Sequence, residues 1–156
     1  MTKETSFTLE EKCEQIKDAF AHASNRERIY EKIMEFGKTL SPFQKEWKNE
    51  ENLVSGCQSL LYLHTTSRLG ALYFSASSDA LISAGLAALL IFLYSGEFPA
   101  NIIKNPPRIL EELGIPALLS PSRANGLASL YLKMREEAIK EGVKQALAGI
   151  GSQLSS

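Results

Sequence analysis

The sequence predicts an α+β fold, a small antiparallel sheet of about three strands packed by helices. Three observations carry this. The element signals run helices, then strands, then helices, without the alternation of a βαβ protein. Residues 60–66 (LLYLHTT) and 71–77 (ALYFSAS) are rich in Leu, Tyr, Phe and Thr and flank a turn with a glycine, Gly70. Charge is depleted in the middle of the chain. Residues 51–104 hold 2 basic and 3 acidic side chains, against 9 and 10 in residues 1–50 and 6 and 5 in residues 105–156. The middle third is therefore the expected core, and the flanks are amphipathic helices that cover it.

The elements follow in order. Thr8 with Glu11 forms a capping box, and Leu9, Cys13, Ile16 and Phe20 then fall on one helical face. Ser24 with Glu27 is read as a second capping box, opening a helix with Ile29, Ile33, Met34 and Phe36 inward and Gly37 as its stop. Residues 52–55 are read as a third strand, with Gly56-Cys57 at the bend before the hairpin. Residues 77–79 (SSD) are expected to cap the apolar helix that ends near Gly96, with Asp79 at the positive end of its dipole. Ser120-Pro121 supplies a cap and a first-turn proline for the last long helix, expected to reach about Ala146. Residues 1–147 are expected to form one domain. Residues 148–156 (AGIGSQLSS) are expected to fray as a flexible tail.

Composition excludes several function classes. The chain has 156 residues, 44% of them hydrophobic, and 17 Lys+Arg against 18 Asp+Glu for a net charge of -1. Disorder needs fewer apolar residues and a larger net charge. General nucleic-acid binding needs an excess of cations to neutralise phosphates. The longest apolar run, residues 80–94, spans 15 residues and is shorter than the roughly 20 needed to cross a membrane. Two cysteines make no disulfide framework and fit a reducing compartment. Residues 1–12 contain no apolar signal core. A soluble cytoplasmic protein, with no nucleic-acid and no membrane partner, is expected.

Chemistry has few places to sit. Cys13, Cys57, His22 and His64 lack the spacing of a zinc site, so no metal is expected. His64 reads as a hydrogen-bonded or exposed strand histidine, and His22 as a helix-end residue. There is no phosphate-binding glycine loop and no nucleophile elbow. Asp79 could act as a base, but a helix cap is the commoner role. Cys13 lies in register with a helix core face and reads as a small apolar residue. Cys57 sits in a polar, glycine-containing bend, Ser55-Gly56-Cys57-Gln58-Ser59. Pattern alone leaves a structural turn cysteine and a reactive one equally open, since reactivity requires the thiolate.

Three segments together resemble a known family. Gly56-Cys57-Gln58-Ser59, then Ser78-Asp79-Ala80 with Gly85-Leu86, then Ser120-Pro121-Ser122-Arg123-Ala124-Asn125-Gly126-Leu127 occur in the order and spacing of the SufE family. These are sulfur acceptors for cysteine desulfurases in iron–sulfur cluster assembly. The resemblance implies the α+β fold shared with the IscU scaffold, and it implies that Cys57 is the acceptor nucleophile. A SufS-like cysteine desulfurase would be the partner and would be stimulated by this chain, with the carbon–sulfur cleavage on its own pyridoxal phosphate. This chain would bind no cofactor itself and would pass persulfide sulfur to an iron–sulfur scaffold complex. Gly56, Gln58, Ser59, Asp79 and Arg123 match supporting positions of the family. Arg123 is expected to hold the acceptor loop or favour an anionic sulfur, and Asp79 to cap or anchor. Gly85 and Gly126 stand inside helices at about 1 kcal/mol each against Ala, which predicts close packing. Two positions depart from many relatives: Leu61-Tyr62 follows the acceptor motif, and Ala84 precedes Gly85 where a basic residue is common. At rest, Cys57 is expected in an apolar pocket between the sheet and the central helix, because a persulfide is easily lost. The alternatives are a non-catalytic adaptor that regulates a desulfurase by surface contact, and an acceptor serving a different sulfur relay.

Overall fold

The structure, a computed structural model, describes residues 6–154, with side chains through Ser152. Residues 1–5 of the N-terminal stretch and residues 155–156 of the expected tail lie outside the described residues. Helix α1 (Leu9–Phe20) begins at the expected capping box: Thr8 Oγ1 accepts from Glu11 N at 3.1 Å while Glu11 reaches back to Thr8 N. Helix α2 (Arg26–Gly37) starts one residue later than expected. Asn25, not Ser24, is its cap, and its side-chain oxygen accepts from Arg28 N at 2.9 Å. Two good capping residues stand side by side, and the fold uses the second.

Strands β1 (Leu61–Arg68) and β2 (Ala71–Ser78) form an antiparallel pair from Leu61↔Ser78 to Arg68↔Ala71. The two residues between them, Leu69 and Gly70, both have positive φ (53° and 85°), the geometry of a tight hairpin turn. The expected third strand is corrected to a single bridge, Leu53↔Tyr62. Val54 N donates to Leu61 O and Leu63 N to Asn52 O, both at 2.8 Å, and then the chain turns away at Gly56. One face of the sheet carries Leu61, Leu63, Phe74 and Ala76 into the core. The other is covered by the segment around a short 3₁₀ turn (Lys45–Trp47), whose Trp47 stacks on His64 with ring centres 4.0 Å apart.

Helix α3 (Leu81–Tyr94) is the expected buried helix, with nine of its residues inaccessible, among them Leu86, Leu89, Leu90 and Leu93. Asp79 does not cap it. The cap position is Ala80, without a side-chain bond, and Asp79 is exposed. Ser78 does the local work: its Oγ donates to Leu60 O at 2.9 Å and accepts from Ala80 N at 3.2 Å. Helix α2 crosses α3 in close contact. A Cβ on Gly85 would lie 2.0 Å from Ile33 O, so only glycine permits this approach.

Three short helices, α4 (Pro99–Lys104), α5 (Arg108–Glu112) and α6 (Ile115–Leu118), each have a proline at the cap or in the first turn. Helix α7 (Pro121–Leu154) closes the core with Leu127, Leu130, Met134 and Ala138. Ser120 caps it as expected, its Oγ accepting from Arg123 N at 3.4 Å. The helix continues past the expected end at Ala146, although residues 147–152 are exposed. Among the described residues no helix is long and apolar enough to cross a membrane.

Candidate functional site

The site is built where a loop, the start of α3 and the first turns of α7 meet. The loop is residues 55–60, and its tip carries Cys57. Gly56 takes φ +84°, and a Cβ there would meet Ser129 Oγ of α7 at 3.0 Å. This backbone turn directs Cys57 down onto α7, where a Cβ on Gly126 would lie 2.9 Å from Cys57 Sγ. Both glycines thus leave room for a close approach, one of loop to helix and one of thiol to helix.

Beside the thiol is a cavity of about 170 Å³. Leu61 of β1, Ala80, Ser83 and Leu86 at the start of α3, and Gly126, Leu127 and Leu130 of α7 line it, with Ser122 and Arg123 at its edge. The resting pocket expected between sheet and central helix is therefore present, with α7 as an additional wall. Cys57 is half-buried. Burial pushes its thiol pKa up from the ordinary value, so the closed loop disfavours the thiolate. A neutral thiol is a poor nucleophile.

Two side-chain contacts fasten the loop. Ser59 Oγ and Ser83 Oγ are 2.9 Å apart, tying the loop to α3. Ser122 Oγ donates to Gln58 Oε1 at 2.9 Å, tying it to α7. Ser83 and Ser129 carried no sequence signal, and Ser122 only its place in a motif. Their roles exist only in three dimensions. The neighbouring Arg123 lines the same cavity but makes no bond to the loop. Its side chain is exposed and makes no hydrogen bond or ion pair among the described residues. Asp79 adjoins the cavity wall at Ala80 but also makes no hydrogen bond among the described residues, and Ser78 anchors the loop end instead.

The other sequence candidates are placed elsewhere. Cys13 packs half-buried against the core, and burial, then Glu112, pushes its thiol up. His64 Nδ1 lies 3.3 Å from Asn52 Nδ2 under Trp47, a structural hydrogen bond. Among the described residues no group of three His, Cys, Asp or Glu side chains is placed to hold a metal ion.

A family model described as SufE, Fe-S metabolism associated domain, matches residues 14–138. The chain belongs to the SufE family. A SufE-like protein of Synechocystis, itself uncharacterized, is 33% identical over 132 residues, covering 85% of this chain and 83% of the relative. SufE-like protein 1, chloroplastic/mitochondrial, of Arabidopsis thaliana is 33% identical over 137 residues. There the match covers 87% of this chain but 37% of the relative, so the plant protein is much the longer. The solution structure of a hypothetical protein from Thermus thermophilus superposes with a TM-score of 0.70 at 21% identity. It covers 85% of this chain and 96% of that one, and it shows the same α+β fold. The SufE motif segments, separated in sequence by tens of residues, thus converge on one cavity around Cys57.

Proposed function

We propose that this SufE-family protein accepts sulfane sulfur on Cys57 from a cysteine desulfurase of the SufS type and passes it to an iron–sulfur scaffold complex. The observation that carries the reading is the seat of Cys57: a thiol at the tip of a loop turned at Gly56, resting on Gly126 beside a largely apolar cavity. Pyridoxal phosphate on the desulfurase would supply the carbon–sulfur cleavage.

The transfer is a thiol exchange. The Cys57 thiolate attacks the outer sulfur of the desulfurase persulfide, and a new S–S bond forms on Cys57. The old S–S bond breaks, and the desulfurase cysteine leaves as a thiolate, which takes up the proton that Cys57 gave up. Sulfane sulfur moves without net oxidation. The raised thiol pKa of the closed loop opposes this step, so the loop lifts on docking. Afterwards the cavity shelters the carried sulfur from reductants.

The test is intact-protein mass measurement. The protein is incubated with a catalytic amount of a cysteine desulfurase and L-cysteine, without reductant, beside Cys57→Ser and Cys13→Ser. The expected result is a reversible gain of sulfur lost only in Cys57→Ser. No gain in the wild type while desulfurase turnover still rises would replace acceptance by regulation through surface contact.

A further inference from the structure

The loop that presents Cys57 is held in two different ways at its neck and its tip. The neck is fixed by backbone bonds, Val54 N to Leu61 O and Leu63 N to Asn52 O, and by Ser78 Oγ to Leu60 O. The tip has no such ladder. Among the described residues, none of the backbone amides of residues 55–60 donates to a carbonyl of another element. The polar attachments of the tip are the Ser59–Ser83 and Gln58–Ser122 contacts, one to each wall of the cavity.

We infer that Ser83 and Ser122 are positioning residues, a two-point latch that holds the acceptor loop shut over its cavity and sets how often Cys57 is presented. Both hydroxyls belong to rigid helices, and both grip residues immediately after Cys57. Each contact is neutral and part-exposed or exposed, so each is weak: its loss changes an opening equilibrium by roughly two- to tenfold. The neck bonds lie outside the tip, and Gly56, with φ +84° at the base of the tip, has the least restricted backbone there. The tip can therefore move without unfolding the sheet. The latch itself is a property of the isolated protein, and only its consequence for sulfur transfer rests on the acceptor reading.

The experiment is alkylation by iodoacetamide at fixed pH, followed by mass for each cysteine separately. Cys13 is the internal reference, since it is half-buried on α1 and outside the cavity. Ser83→Ala and Ser122→Ala are each expected to speed Cys57 alkylation roughly two- to tenfold, and the double variant more, with Cys13 unchanged. Ser122→Thr, which keeps the hydroxyl, is expected to restore the wild-type rate. An unchanged Cys57 rate in the double variant overturns the latch. So does equal acceleration of Cys13, which would signal general loosening. With a desulfurase and L-cysteine, each alanine variant is further expected to lower the half-saturating concentration of this protein by the factor seen in alkylation, because a larger fraction is competent to dock. Failure of the wild type to take up sulfur would remove the acceptor reading and leave the alkylation result to decide the latch.

Discussion

Cys57 Sγ rests where the side chain of residue 126 would begin: a Cβ on Gly126 falls 2.9 Å from the sulfur. The helix therefore gives up about 1 kcal/mol of intrinsic stability to make a seat for the thiol. Gly126→Ala should return part of that helix stability while evicting Cys57, whose sulfur can swing aside. The expected outcome is an unfolding midpoint near or above wild type together with faster alkylation of Cys57. A large loss of stability with Cys57 still protected would mean that the sulfur is not held by this contact.

Gly85 makes the opposite case. Its nearest neighbours are backbone atoms, Ile33 O at 2.0 Å and Ile33 C at 2.6 Å from an added Cβ, and Gly37 faces it with Gly85 N 3.0 Å from its own added Cβ. Backbone cannot swing aside. Gly85→Ala is expected to force α2 from α3 and to cost about 3 kcal/mol or more despite the gain in helix propensity. Urea denaturation measures it, and a cost below about 1 kcal/mol would show that the helices separate easily.

How much of this was legible in the sequence depended on whether the signal was local. The Thr8–Glu11 box, the Gly70 hairpin and the Ser120-Pro121 start are complete within a few residues, and all three stand in the structure. At the start of α2 the Ser24–Glu27 spacing points one residue early, because Asn25 offers an equally good acceptor and takes the cap. The strand expected at residues 52–55 makes real bonds to β1, but Gly56 must turn the chain before a ladder can extend. Asp79 looked like a cap, while Ser78 one residue earlier took the bonds. Helix α7 outran its expected end because no proline stops it and the glycines at 149 and 151 weaken a helix without ending it. At the site, Cys57 and its motif partners were visible. Ser83 and Ser129 were not, because each acts only on a residue more than twenty positions away.

A buried ion pair closes the C-terminal end of α3. Lys12 Nζ donates to Glu97 Oε1 at 2.9 Å, Leu93 O at 3.1 Å and Ser95 O at 3.4 Å, and Asn101 Nδ2 supports Glu97 Oε2 at 3.1 Å. The two side chains are only 13% and 11% exposed, so removing one partner strands the other. Lys12→Met is expected to cost about 3–5 kcal/mol, and Lys12→Met with Glu97→Gln to recover much of it. A double-mutant cycle in urea gives the coupling, and additive losses would mean that the pair is not energetically linked.

Alkaline pH should destabilise the fold. Tyr94 is 1% exposed, its hydroxyl donates to Asn105 O at 2.7 Å, and burial pushes its phenol well above the ordinary range. The folded state then keeps a proton that the unfolded state releases. Stability from this group is fully present below the ordinary tyrosine pKa of about 10 and is lost as pH rises above it, with a limiting slope of about 1.4 kcal/mol per pH unit. Cys13 and Cys57 are raised in the same direction and begin the loss nearer the ordinary thiol range. Unfolding midpoints between pH 7 and alkaline pH should fall, and Tyr94→Phe should flatten the steepest part. A flat profile in the wild type would show that these groups titrate alike in both states.

Arg123 separates structure from transfer. Its guanidinium stands at the cavity edge, exposed and without a hydrogen-bond or ion-pair partner among the described residues, three positions from the Gly126 seat. Packing gives no reason for an arginine in the first turn of α7, where the helix dipole opposes a cation. In the closed loop, burial governs the Cys57 thiol. We propose that, once the tip lifts, this cation favours the anionic sulfur on Cys57. Arg123→Ala is therefore expected to leave the urea midpoint within about 0.5 kcal/mol of wild type. It should also slow desulfurase-dependent sulfur uptake on Cys57 by on the order of tenfold, the size of a charge-assisted contact. Arg123→Lys keeps the charge without the planar fork and should recover part of the rate. Single-turnover uptake measured by mass checks both variants. Wild-type uptake in Arg123→Ala would confine Arg123 to the surface, while equal losses in stability and uptake would make it a packing residue.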